Sequence, residues 1–185
     1  MAKFFDKIDD KIKRFIGEQK MFFTASAPLA ADGRVNLSPK GIDTFRVLDE
    51  TTVCYLDLTG SGNETAAHVA ENGRLTVMFC SFAGAPLILR LYGTAEIIRP
   101  NSEKWTDLAA HFADFPGTRQ IVVLNVESLQ TSCGYGVPLY EFAGDRNQLI
   151  KWAEKKGEDG IENYWREKNQ TSIDGLPTNI FERGE

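Results

Sequence analysis

The chain has 185 residues, 42% of them hydrophobic and 25% charged, which is enough to bury a substantial core as one compact soluble domain. A net charge of −5 argues against a nucleic-acid groove or an anionic membrane surface as partner, and no apolar run reaches the ~20 residues that a membrane span needs. Three cysteines lie far apart at Cys54, Cys80 and Cys133, an odd number without metal-ligand spacing, so a reducing cytoplasm is the expected compartment.

The N-terminal residues turn charged and helical within a few positions, unlike a signal peptide. Phe4, Phe5, Ile8, Ile12, Phe15 and Ile16 recur at helical spacing and predict an amphipathic first helix ended by Gly17. Met21 to Ala27 reads as a strand, Ala31 to Arg34 as a turn and Val35 to Leu37 as the returning strand. Phe45 to Leu48 leads to a turn at Asp49-Glu50, and Thr52 to Leu58 is a β-branched and aromatic strand. A Gly/Ser turn then opens a short helix through Ala66, Ala67, Val69 and Ala70 that closes near Asn72-Gly73. Leu75–Cys80 and Leu87–Tyr92 flank a turn at Ala83-Gly84-Ala85-Pro86 and predict a long hairpin running on to Ile98. A helix over Ser102–Phe112 and a strand over Ile121–Val126 follow. The tail from Arg146 to Lys168 is helical with a break at Gly157, and Trp105, Trp152 and Trp165 fall at packing positions on helical patterns. Strands outnumber helices and the long ones suit antiparallel pairing, so the fold class is α+β on a small antiparallel barrel. The chain reads as a single domain over 1–185, with the barrel at about 20–130 and a helical C-terminal extension at about 145–185.

Two segments carry chemistry. Val35-Asn36-Leu37-Ser38-Pro39-Lys40-Gly41 ends a strand in donors and a cation, and Thr59-Gly60-Ser61-Gly62-Asn63-Glu64-Thr65 opens a helix. Together they could cradle an anion between a lysine, hydroxyls and backbone N–H groups, and a phosphate-bearing cofactor suits such a site. Each has a plainer reading. Ser61 to Glu64 also fits a capping box with Ser61 as N-cap, and Ser38 to Gly41 also fits a turn. Arg90, inside Leu87-Ile88-Leu89-Arg90-Leu91, needs solvent, a carboxylate or a bound anion. Tyr135 sits between Gly134 and Gly136, where the backbone can approach a flat ring or simply turn. Cys133, in a polar loop, is the one thiol placed for reactivity, whereas Cys54 and Cys80 read as buried. His68 reads as a solvent-facing helix residue. No metal site and no catalytic side-chain set can be assigned.

Ser38-Pro39-Lys40-Gly41, the Gly60 to Thr65 turn-to-helix and Leu75 to Gly93 resemble the flavin-binding split-barrel family related to pyridoxamine 5′-phosphate oxidase. The likeness runs from about Phe22 to Glu96, and Thr131 to Pro138 is similar to an uncharacterised branch. The resemblance implies a six-stranded antiparallel split barrel with peripheral helices. It also implies a homodimer with two equivalent FMN sites at its interface, with the strand through Val35 to Gly41 along the flavin ring. Asn63, Glu64 and Thr65 fall where the family holds the phosphate, and Ser61 belongs to the same turn. Better-known members carry an Arg-Lys pair where this chain has Glu64-Thr65, so the positive charge is expected from Lys40 or Arg90. The C-terminal Trp and Arg signature of the oxidase itself is absent, which speaks against vitamin B6 oxidation.

The expected function is therefore an FMN-dependent oxidoreductase working through flavin N5, with unknown substrate and electron donor. Its expected cofactor contacts are Ser38, Pro39, Lys40, Gly41, Ser61, Asn63, Glu64, Thr65, Arg90 and Tyr135. The Cys133 to Pro138 loop is expected to close the substrate side, from the partner subunit if the chain dimerises. A deazaflavin-binding or haem-binding split barrel and a non-catalytic flavin-binding protein are the alternatives that this scaffold leaves open.

Overall fold

A computed structural model of the chain describes residues 2–182. The helical pattern at the N-terminus is split in two. Lys3–Phe5 forms a short strand, β1, and Asp9 caps helix α1, Asp10–Glu18, by accepting the Ile12 N–H at 2.7 Å. Phe4 and Phe5 are thus strand residues, held by pairing to a segment more than a hundred positions away, a contact that helical periodicity cannot reveal.

Strands β2 (Phe22–Ser26), β3 (Asn36–Lys40), β4 (Phe45–Val47) and β5 (Thr52–Leu58) follow, then helix α2 (Glu64–Asn72). β6 (Arg74–Cys80) and β7 (Ile88–Ile98) form the expected hairpin, and helix α3 (Trp105–Ala109) is shorter than its pattern predicts. β8 (Thr118–Ser132) is longer than expected, and α4 (Gln148–Lys168) breaks at Gly157, whose φ of 66° and ψ of 173° leave the helical region. Among the described residues seven strands run in hydrogen-bonded order β3-β2-β6-β7-β8-β5-β4, all antiparallel, and β1 adds to β8. Six strands is therefore an undercount. The strands easily missed are β1 and β4, each three residues long and too short to show alternation.

The sheet curls into a split half-barrel whose β2–β6 and β4–β5 sides meet by packing instead of a ladder. Phe22 of β2 lies edge-to-face on Phe45 of β4 at 4.9 Å and on Tyr55 of β5 at 5.5 Å, and Phe79 of β6 completes the aromatic cluster. Val77, Leu89, Leu91, Val122, Leu124 and Leu129 fill the interior. The outer face of β5 and β8, through Cys54, Leu56, Ile121 and Val123, is covered by Trp105, Leu108 and Phe112. Both faces of β5 are buried, which is why its sequence reads as an unbroken apolar run. Gly93 sits at a β-bulge against β8, where an added Cβ would fall 1.9 Å from the Asn125 carbonyl oxygen.

Candidate functional site

Ser38-Pro39-Lys40 is strand, not turn. Pro39 is accommodated because β3 is an edge strand, where a missing N–H breaks no interior ladder. The alternation of β3 puts Asn36, Ser38 and Lys40 on the inner side, opposite Ser26, Thr24 and Phe22 of β2. Leu37 and Pro39 face outward, and Leu37 is 63% exposed.

At this end of the barrel β5 delivers one carboxylate, Asp57, which is buried. Lys40 Nζ lies 2.6 Å from Asp57 Oδ1, and Arg119 approaches Oδ2 through Nη2 at 2.7 Å and Nε at 3.2 Å. Gln120 Nε2 donates to the same oxygen at 2.9 Å. Asp57 and Gln120 are cross-strand partners, and the bulge between Asp57 and Leu58 lets Arg119 reach the same carboxylate. Burial alone would raise the Asp57 carboxyl, but Lys40 and Arg119 outweigh it and hold the group well below the usual carboxylate range. Two cations on one anion leave the cluster with a surplus positive charge.

The loop from Gly60 to Asn63 is tied to that cluster. Arg119 Nη1 donates to the Gly62 carbonyl at 2.9 Å and to Asn169 Oδ1 at 2.8 Å, and Gln120 Nε2 donates to Asn63 Oδ1 at 2.8 Å. Asn63, not Ser61, is the N-cap residue of α2, and its side chain makes no capping bond. The capping box is not formed. The Glu64 carboxylate instead accepts the N–H of Ile173, at 3.0 Å for Oε2 and 3.1 Å for Oε1. Asn63 Nδ2 has no partner within the protein although the residue is only 2% exposed. The first turn of α2 also leaves backbone N–H groups without intrahelical acceptors.

Behind the loop runs a polar chain. Asn36 Nδ2 donates to Thr65 Oγ1 at 3.1 Å and to Ser26 Oγ at 3.3 Å, Ser38 Oγ donates to Asn36 Oδ1 at 3.0 Å, and His68 Nδ1 lies 2.9 Å from Ser26 Oγ. His68 is fully buried, contrary to the solvent-facing expectation, because α2 packs this face against the barrel. The interaction joins residues 42 positions apart, beyond what helical spacing can show.

These groups surround a cavity of about 940 Å³, lined by β3, the end of β5, the 59–63 loop, the start of α2, Leu149, Lys168 and Thr171–Ile173. Ser38, Pro39, Lys40, Gly41, Ser61, Asn63, Glu64 and Thr65 all line it. Arg90 and Tyr135 do not. Arg90 projects from β7 toward Ser132, with Nη1 at 3.3 Å from its hydroxyl, and Tyr135 is 83% exposed in the segment after β8. Four cationic side chains (Arg34, Lys40, Arg119 and Lys168) stand against three carboxylates, Asp57 and Glu64 in the lining and Asp174 paired with Arg34, so an acidic chain keeps a net positive cavity. Arg119, Gln120 and Asn169 escaped the sequence reading. The available signal was an Arg-Gln pair at the head of the apolar run Ile121–Val126 and a lone Asp57 inside an apolar strand, each of which demands a buried partner. Cys54 and Cys80 are buried, and burial pushes the Cys54 thiol up to about 12 and raises Cys80 as well, while Cys133 is exposed.

The arrangement fits a mononucleotide-type cofactor on its own terms. The volume lies within the ~300–1,000 Å³ of small-molecule sites. An orphaned buried amide N–H group, helix N-terminal N–H groups and surplus positive charge converge at one end, as a phosphate requires. The edge strand β3 offers its free backbone row to a flat polar ring.

The family model described as pyridoxamine 5′-phosphate oxidase matches residues 8–133. The pyridoxamine 5′-phosphate oxidase family protein ustO of Aspergillus flavus is 37% identical over 197 residues, covering 96% of this chain and 78% of that protein. Among solved structures, a variant of HupZ from Group A Streptococcus is similar with a TM-score of 0.54 and 23% identity, covering 68% of this chain and 99% of that one. A protein of Lactobacillus delbrueckii, described as a candidate pyridoxamine 5′-phosphate oxidase, is similar with a TM-score of 0.52 and 20% identity over 68% of this chain and 94% of that one. At these identities the two structures bear on the fold, which is the split barrel described above.

Proposed function

The chain belongs to the pyridoxamine 5′-phosphate oxidase family, and from that premise we propose that it is an FMN-binding oxidoreductase acting as a homodimer. The observation that carries this reading is the unpartnered Asn63 Nδ2 at the start of α2, beside the surplus cationic charge of the Lys40–Asp57–Arg119 cluster. The barrel and the C-terminal extension form one cofactor-binding unit, since Leu149, Lys168 and Ile173 line the same cavity as β3.

In this reading Asn63 and the first-turn N–H groups of α2 bind the phosphate, with Thr65 and Ser61 beside them. Arg119 holds the loop carbonyl of Gly62 in place, so its main contribution is to preorganise the cradle, and Lys40 divides its charge between Asp57 and the ligand. Ser38 to Gly41 lies along the flavin ring, where backbone donors on edge strand β3 favour negative charge at the pyrimidine end. FMN supplies hydride acceptance and donation at N5, and the protein supplies binding, orientation and tuning.

The second subunit is supported by what the monomer leaves uncovered. Tyr135, Leu139, Tyr140 and Phe142 are all exposed in the segment after β8, and Leu37 and Val35 are exposed beside the cavity. Arg90 and Tyr135, which stand away from the cavity of their own chain, would then serve the partner's. A haem finds less support within one subunit, because among the described residues its own cavity lining has no His, Cys, Met or Tyr, and an axial ligand would have to come from the partner, as Tyr135 could. Among the described residues no helix is long and apolar enough to cross a membrane, and three free cysteines suit a cytoplasmic protein.

The test is an absorbance spectrum of the purified protein before and after FMN is added. Bands near ~370 and ~450 nm that stay with the protein through gel filtration, at the elution volume of a dimer, are the expected result. A colourless protein that takes up no FMN would refute the assignment.

A further inference from the structure

The C-terminal segment after α4 is a wall of the cavity. Residues 171–177 fold back on themselves through a Thr171–Pro177 bridge and a bond from the Ser172 N–H to the Leu176 carbonyl at 2.8 Å. Ser172 Oγ accepts the Leu176 N–H at 3.0 Å and the Asp174 N–H at 3.3 Å, which stiffens the turn.

Three anchors hold this hairpin to the barrel. Asp174 pairs with the Arg34 guanidinium and accepts the Arg34 N–H at 2.7 Å, just ahead of β3. Ile173 donates its N–H to Glu64, the first residue of α2. Asn169 and Thr178, both fully buried, close the base. Thr178 Oγ1 donates to the Asn169 carbonyl at 2.6 Å, Asn169 accepts from Arg119, and Arg99 Nη2 donates to the Thr178 carbonyl at 2.6 Å.

Glu64 lines the cavity next to Asn63, and beside an anion a carboxylate is electrostatically out of place. The bond to Ile173 gives it a structural reason, and Ile173 lines the same cavity, so an occupant whose phosphate sits at Asn63 has the hairpin as a neighbouring wall. We infer that the 171–177 hairpin, latched to Glu64 and Arg34, sets cofactor length, admitting a flavin mononucleotide and turning away a dinucleotide. This rests on the FMN reading above.

The physical argument is steric and electrostatic. A dinucleotide adds a second phosphate and an adenosine at the phosphate end, against the hairpin backbone at Ile173 and the Glu64 charge. The Arg34 cation nearby is already taken by Asp174. Lys168, exposed and lining the same cavity, adds charge without adding room. The specificity is built from what is placed against the larger ligand.

The experiment compares dissociation constants for FMN and FAD by quenching of flavin fluorescence, in the intact protein and in the Glu64→Ala/Asp174→Ala variant. The intact protein should prefer FMN by ~100-fold or more, and the variant should narrow that preference by at least ~10-fold. Deuterium exchange at 171–177 verifies that the latch has opened. Should the double variant fail to fold, Asp174→Ala alone breaks an ion pair whose Arg34 end is 65% exposed, and should shift the preference the same way. An unchanged preference with a demonstrably loosened hairpin, or equal affinity for both flavins in the intact protein, overturns the inference while leaving FMN binding standing. Binding of neither flavin overturns both.

Discussion

Replacing Asp57 by asparagine tests the centre of the site. The substitution keeps the volume and removes the one anion that Lys40 and Arg119 share inside the barrel. Breaking a buried pair by removing one partner costs ~3–5 kcal/mol, because the remaining charges stay desolvated. Here two cations are stranded, while Gln120 keeps its bond to Asn63, so the loss belongs in that range although Lys40 is partly open to solvent. At ~2–3 kcal/mol per molar of urea, a loss of ~3–4 kcal/mol moves the unfolding midpoint down by ~1–2 M. Urea unfolding followed by far-UV circular dichroism measures it. Inorganic phosphate should restore more stability to the variant than it adds to the native protein, because it supplies the missing anion, up to ~2.7 kcal/mol at a hundredfold excess over its dissociation constant. The pH dependence has a definite sign. A carboxyl held low in the folded state contributes stability that is complete above its unfolded value of ~3.9 and is lost as pH falls through the depressed folded value. The gap between native protein and variant should thus be constant between about pH 6 and 8 and shrink below about pH 4. A loss under ~1 kcal/mol with no added benefit from phosphate would refute the reasoning.

Asn63→Asp should keep the Gln120 bond and suit the helix dipole, so thermal stability holds, while FMN affinity falls by ~10–100-fold because a charge replaces the orphaned donor; titration calorimetry decides it. His68→Ala should cost ~2–4 kcal/mol, since it empties a fully buried position and strips Ser26 of one of its two side-chain partners; a melting temperature lowered by less than ~2 °C would contradict the burial. Gly93→Ala should cost ~3 kcal/mol or abolish soluble expression, because its methyl group would sit on the Asn125 carbonyl at a β-bulge; soluble yield and a thermal melt test it.

Much of the barrel was legible along the chain. β2, β5, β6 and β7 show alternating or continuous apolar runs bounded by turn residues, and α2 is announced by the Gly/Ser turn before it. The loop at 60–63 and the strand at 36–40, which line one cavity, each carry a short motif that stands out along the chain. β1 and β4 were not legible as strands, since three residues show no period, and Pro39 disguised an edge strand as a turn. Lys40 lines the cavity, and its pairing with Asp57 was hidden because 17 residues and two strand changes separate them.

By itself, then, the sequence determined the antiparallel α+β architecture, the polar character of one loop and the acidic balance of the chain, because these follow from local periodicity, turn chemistry and composition, and its short motifs carried the resemblance to the family. Only the tertiary structure decided which charges meet. Arg119, Gln120 and Asn169 converge on Asp57 and the 60–63 loop across 50 to 109 positions, Arg90 and Tyr135 stand apart from the cavity, and a hairpin at the far end of the chain closes it. The physical reason is that an ion pair or a buried hydrogen bond depends on distance in space and on desolvation, and neither quantity is encoded in the spacing of residues along a strand or helix.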